Sequence, residues 1–217
     1  MTRSLTGILR LLLICTAHAL HAAEDAESIA QKIAANSGVA NWEAIRLVKF
    51  TFSAEVPAKD KSIRRTWLWS PRSGTVQYVD ADYTYNRNIL NAADKARDAM
   101  FVNDSFWLLF PFNLVWTDDL ELTLADGPVE SPIAGTPLGM LTVQFPNEGG
   151  YTPGDAYDVF FDADYRIQEW IFRKGGRPEP SLISTWEDYQ EFSGIAIATD
   201  HQGPGGFRLQ MTDILID

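Results

Sequence analysis

Residues 91–112 read NAADKARDAMFVNDSFWLLFPF, an alanine-rich run followed by a strongly apolar one. Ala92, Ala93, Ala96, Ala99 and Met100 predict a helix, which Asn103 and Asp104 interrupt. Either of those two residues can cap a second short helix, and Pro111 forces its end. That second piece, Phe106-Trp107-Leu108-Leu109-Phe110, is apolar on every side. Such a helix must be covered all round, by core, partner or ligand. The break at Asn103-Asp104 is the expected hinge between the two pieces.

Both flanks of this stretch read as strands. Val48, Phe50 and Phe52 alternate with Lys49, Thr51 and Ser53. Arg65, Trp67 and Trp69 share one face of a second strand, the Pro71–Gly74 run supplies a turn, and Val76 and Tyr78 lie on a third. Beyond the helical stretch, Leu120, Leu122 and Leu124 alternate with polar neighbours, as do Leu141, Val143 and Phe145. Tyr157, Val159 and Phe161 lead through Asp162-Ala163-Asp164 into a strand carrying Trp170 and Phe172, which predicts a hairpin. Ile195 and Ile197 mark another strand, and Phe207, Leu209 and Met211 the last; the apolar phase then shifts to Ile214 and Ile216, which predicts a bulge at Asp213. Alternation at period two gives each strand one wet and one dry face. The sum is roughly nine to eleven strands, enough for a curved, incomplete antiparallel β-barrel covered by helices, in a mainly β protein with an α lid. Ahead of the strands, residues 24–37 carry Ala26, Ile29, Ala30 and Ile33 on one narrow stripe with Gly38 closing the helix, so this helix should lie on the structure rather than inside it.

Residues 1–23 read as a secretory signal. Arg3 and Arg10 open it, Leu11 to Leu20 form a short apolar run, and small residues between 19 and 23 offer a cleavage site. Leu12-Leu13-Ile14-Cys15 loosely matches a lipid-attachment box but places bulky Ile14 where a small residue is required, so ordinary cleavage is expected. Residues 24–217 then form one domain, exported to the periplasm or secreted and not membrane-spanning.

The 217 residues hold 18 Lys plus Arg against 29 Asp plus Glu, a net charge of −11, and the leader takes only positive charge away. An acidic surface repels phosphate backbones, so nucleic acid is not an expected partner. Cleavage also removes Cys15, His18 and His21, leaving His201 and no thiol. That excludes Cys–His catalysis, disulfides and Cys/His zinc sites, and no cofactor or metal is expected.

This order of elements resembles the outer-membrane lipoprotein carriers and receptors LolA and LolB and their relatives. More closely, Asn103–Phe112, Gly150-Tyr151-Thr152-Pro153-Gly154-Asp155 and Ser184-Thr185-Trp186-Glu187-Asp188-Tyr189 resemble an uncharacterised family of secreted bacterial proteins. The resemblance implies an incomplete antiparallel barrel with helices over an apolar cavity. In the carriers an arginine bonds the lid backbone; Arg46, Arg64 and Arg65 are the counterparts available here.

The expected function is accordingly non-covalent binding of a lipid-like or other hydrophobic molecule, as a carrier with a protein partner in the envelope, and not an enzyme. Phe106, Trp107 and Phe110 from the helix and Trp67, Trp69, Trp170 and Phe172 from the sheet are the candidate ligand-binding residues. The plainer reading makes the same aromatics ordinary core. The competing function is a carbohydrate-binding protein or carboxylate-based hydrolase acting on envelope glycans, with Trp67 and Trp69 as a stacking platform and the Asp80-Ala81-Asp82 and Asp162-Ala163-Asp164 pairs as acids; both pairs read more simply as turns. A third reading is a structural envelope protein whose own side chains fill the space. His201, among Asp200, Gln202, Gly203 and Pro204, reads as part of an exposed loop, with no nucleophile to make a triad.

Overall fold

A computed structural model describes residues 25–151 and 153–217. The expected signal, with its cleavage site, Cys15, His18 and His21, lies outside the described residues.

Helix α1 (Ala26–Asn36) starts where the Asp25 carboxylate accepts the Ser28 N–H at 2.7 Å, which satisfies one of the free amides of the first turn. Its Ala26, Ile29, Ala30, Ile33 and Ala34 are buried, and the rest of the helix faces outward. The chain then forms β1 (Val48–Val56), β2 (Lys61–Ser70), β3 (Thr75–Tyr78) and β4 (Tyr83–Asn86), followed by α2 (Ala92–Trp116). Six strands come next: β5 (Glu121–Leu124), β6 (Val129–Glu130), β7 (Pro137–Gln144), β8 (Ala156–Phe161), β9 (Ile167–Arg173) and β10 (Leu182–Thr185). The chain ends in β11 (Glu187–Phe192), β12 (Ile195–Gly203) and β13 (Phe207–Ile216).

Two antiparallel sheets result. One has the order β11-β12-β13-β1-β2-β3-β4; the other runs β10-β9-β8-β7-β5, with β6 paired to β7. Neither closes, so the fold is mainly β, an open two-sheet wrap around a helix, as the alternation implies. There are more strands than the sequence suggests because β4, β6 and β10 are short, and β11 buries none of its residues and so carries no apolar rhythm. The predicted bulge is present: Lys49 pairs with Leu215 but Thr51 with Thr212, and Asp213 sits at φ 52°. The predicted hairpin is β8–β9.

The helical stretch differs from its reading. Asn103 and Asp104 do not break it, and Pro111 does not end it: α2 is one helix distorted at Leu109 (φ −125°, ψ 24°). Proline lacks the N–H that the turn before it would use, which bends a helix that packing prevents from ending. Asn91, not Asn103 or Asp104, is the cap, and it forms a capping box with Asp94. Of the all-round apolar segment, Trp107, Leu108, Leu109 and Phe110 are buried and Phe106 is half-buried. Ahead of it on the helix, Phe101 meets Trp67 and Trp69 of the first sheet at 5.5 and 5.3 Å between ring centres. Within it, Phe106 and Phe110 meet Tyr157 of the second, each at 5.4 Å.

Gly38 ends α1 in the left-handed region, φ +86°, and a Cβ there would stand 2.0 Å from the Gly194 carbonyl oxygen in the β11–β12 turn. Gly38→Ala should therefore cost about 1–3 kcal/mol, read as the shift in a urea midpoint. Full stability in that variant would mean that the α1 terminus does not dock on this turn.

Candidate ligand cavity

Between α2 and the inner faces of the two sheets lies a partly enclosed cavity of about 870 Å³, in the range of roughly 300–1,000 Å³ usual for small-molecule sites. Ala99, Val102, Asn103, Phe106 and Trp107 of α2 form one wall. The first sheet contributes Phe52 and Ala54 from β1, Ile63 from β2, and Phe207 and Leu209 from β13. Tyr157, Trp170, Phe172 and Leu182 line it from the second. The mouth is made of strand-end turns, among them Pro57–Lys59, Lys174 and Pro204-Gly205.

Of the seven candidate residues, Phe106, Trp107, Trp170 and Phe172 line this space together, with Trp107 4.5 Å from Trp170 between ring centres. Trp67, Trp69 and Phe110 do not line it. Trp67 is completely buried, and its indole donates to Asp104 Oδ2 at 2.8 Å. Trp69 packs between Trp42 and Phe101, and Phe110 lies against Trp170 and Trp186. The inner face of β2 is roofed by Phe101, so the two tryptophans form core and no stacking platform is exposed there. The missing contributors are small or apolar residues, such as Ala54, Val102 and Leu209, whose place on a cavity wall gives no mark in a sequence.

Polar contacts fix α2 against the first sheet. Arg65 donates to both Asp104 carboxylate oxygens, at 2.6 Å from Nε; Asp104 is 0% and the Arg65 side chain 14% exposed. Asp94 accepts from Tyr83 at 2.7 Å. Asp98 accepts from Tyr85 at 3.1 Å, Arg87 at 2.7 Å and Tyr151 at 2.7 Å. Burial and the Asp98 carboxylate together push the Tyr85 hydroxyl well above its usual range. Among the three arginines named as counterparts of the carriers' lid arginine, Arg65 is the one that meets α2, through a side-chain carboxylate rather than backbone.

His201 is not in an exposed loop. It lies in β12, completely buried, with its ring 4.7 Å from Trp186 and 5.1 Å from Trp107. Its Nδ1 is 3.0 Å from the Thr185 carbonyl, which assigns the proton to Nδ1. Burial lowers its pKa to about 4, so the ring is neutral at pH 7. The acidic pairs are turns: Asp80 accepts the Thr66 amide, and Asp162 Oδ1 accepts the Asp164 and Arg166 amides at 3.0 and 2.9 Å.

No family model matches the sequence, and no curated protein does. Among solved structures, a DUF1329 family protein from Desulfovibrio piger aligns over 89% of this chain and 94% of its own, with a TM-score of 0.52 at 10% identity. The two share a fold. A domain from Vibrio parahaemolyticus named for outer membrane lipoprotein sorting aligns over 88% of this chain and 92% of its own, with a TM-score of 0.48 at 12% identity. No helix among the described residues is long and apolar enough to cross a membrane.

Proposed function

We propose that this protein binds a lipid-like or other hydrophobic molecule in the cavity beside α2 and carries it within the cell envelope, without catalysing its conversion. One observation carries the reading: the inner faces of the two sheets leave about 870 Å³ that their own side chains do not fill. Apolar burial at about 25 cal/mol per Å² makes such a space a binding site for an acyl chain. The same unfilled space argues against a purely structural role. The secretory signal read in residues 1–23 supports export, and the name of the Vibrio domain agrees with carriage without adding weight. The glycan reading loses its platform, because Trp67 is covered by α2.

The test is to fill the space. Val102→Trp, from the α2 wall, should weaken binding of a fluorescent fatty acid at least about tenfold, or 1.4 kcal/mol, in a protein that still unfolds cooperatively. Undiminished affinity in the folded variant would remove the cavity from the function.

A further inference from the structure

We infer that the occupant of the cavity carries an anionic head group, held at the mouth by Lys59 and Lys174. The inference rests on the reading above that the cavity takes a hydrophobic molecule, and adds the class of amphiphile.

The chain as a whole is strongly acidic, 29 Asp plus Glu against 18 Lys plus Arg. Around the cavity the balance reverses. The charged side chains that line it are Lys59, Lys174 and Asp155, and Asp155 already accepts the Gly175 amide at 2.7 Å from the turn after β9. Lys59 closes the turn Pro57–Lys59 after β1, and Lys174 opens the turn Lys174–Gly176 after β9, so each sheet supplies one cation to the same mouth.

The cations of the fold are used differently. Arg65, Arg87, Arg173 and Arg208 are each committed to an aspartate. Neither Lys59 nor Lys174 forms a side-chain ion pair or hydrogen bond among the described residues. A lysine keeps its stem along apolar surface and its ammonium in water, which suits a ligand whose tail is buried and whose charged end stays at the rim. A carboxylate or a phosphate would satisfy the same two ammonium groups, whereas an uncharged head group gains nothing from them. Exposed pairs of this kind are individually weak, so the pair of lysines selects among amphiphiles while the tail supplies most of the affinity.

The experiment is competition of dodecanoate, dodecyl phosphate and dodecanol against Nile red, an uncharged dye, on the full chain at neutral pH. The tails are equal, so the ratio of acid to alcohol isolates the head group. Dodecanoate or dodecyl phosphate should outcompete dodecanol by about three- to tenfold at low salt. The advantage should shrink in about 1 M salt, where the screening length is roughly 3 Å. In the double variant Lys59→Gln, Lys174→Gln the ratio should fall to about one; because it is taken within a single protein, a general loss of folding does not imitate it. The order of dodecanoate and dodecyl phosphate tells a carboxylate from a phosphate. Equal affinities for acid and alcohol in the unaltered protein, or an undiminished ratio in the double variant, overturn the head-group assignment and leave the cavity reading standing. Failure of all three competitors and of Nile red to bind overturns the cavity reading, and the head-group assignment with it.

Discussion

Asp104→Ala is expected to destabilise the protein by about 3–5 kcal/mol, because it leaves a nearly buried guanidinium without its counter-charge. Arg65 gives both oxygens of that carboxylate a hydrogen bond, and the Trp67 indole N–H shares one of them. Asn103 adds a fourth donor at 3.0 Å. With Asp104 gone, water reaches Arg65 poorly and Trp67 not at all, and each stranded donor keeps its desolvation cost. In a domain of this size the loss should appear as a fall in Tm on the order of 10 °C. Replacing both charges, with Asp104→Leu and Arg65→Met together, should recover at least half of it, since apolar pairs of similar volume tolerate burial better than one unpaired ion. A single-variant loss below about 1 kcal/mol would show that the pair does not hold α2 to the first sheet.

The second large effect is of pH. His201 has a pKa of about 4 in the folded protein, lowered by burial from an ordinary 6.5. Below pH 6.5 the unfolded chain takes up a proton that the folded one refuses, so the stability held in full above that pH drains away as the pH falls toward 4. At about 1.4 kcal/mol per pH unit the total is about 3 kcal/mol. Urea unfolding across this window should show the decline. His201→Asn, which keeps a donor near the Thr185 carbonyl, should flatten it by a similar amount. Asp200, in the neighbouring position, does not obscure the window. Burial raises its carboxyl, but hydrogen bonds from Arg208 and Gln202 outweigh that and hold it below 3.8, so its contribution is lost at lower pH. Equal slopes for the parent protein and His201→Asn would mean that the imidazole is charged or exposed.

The parts of this fold that were legible in the sequence are those that depend on near neighbours. Alternation along Val48–Ser53 and Tyr157–Phe161 required only the two-residue period, and the phase shift at Asp213 required only that the period fail. The need of Phe106–Phe110 for cover on all sides followed from composition. What escaped were facts of distant pairing. Asp104 looked like a helix cap because its partners, Arg65 and Trp67, lie 39 and 37 residues earlier. His201 looked like loop because its polar neighbours are those of a turn, while the tryptophans that enclose it come from α2 and from the single residue between β10 and β11. The cavity was inferable as a surplus of apolar surface, but its walls were not: which aromatics face the space depends on where α2 lies across each sheet, and that placement covers Trp67 and Trp69 and turns Phe110 onto Trp170 and Trp186.

The carboxylates of α2 also fix where the helix sits along its own axis. Sliding the helix by one turn would strand Asp94, Asp98 and Asp104 together, away from the tyrosines and arginines that meet them now, so the three act as teeth in a rack. A swing of the central helix is therefore costlier than a parting of the short connections after β1, β9 and β12 at the cavity rim, which leaves those three carboxylates with their partners.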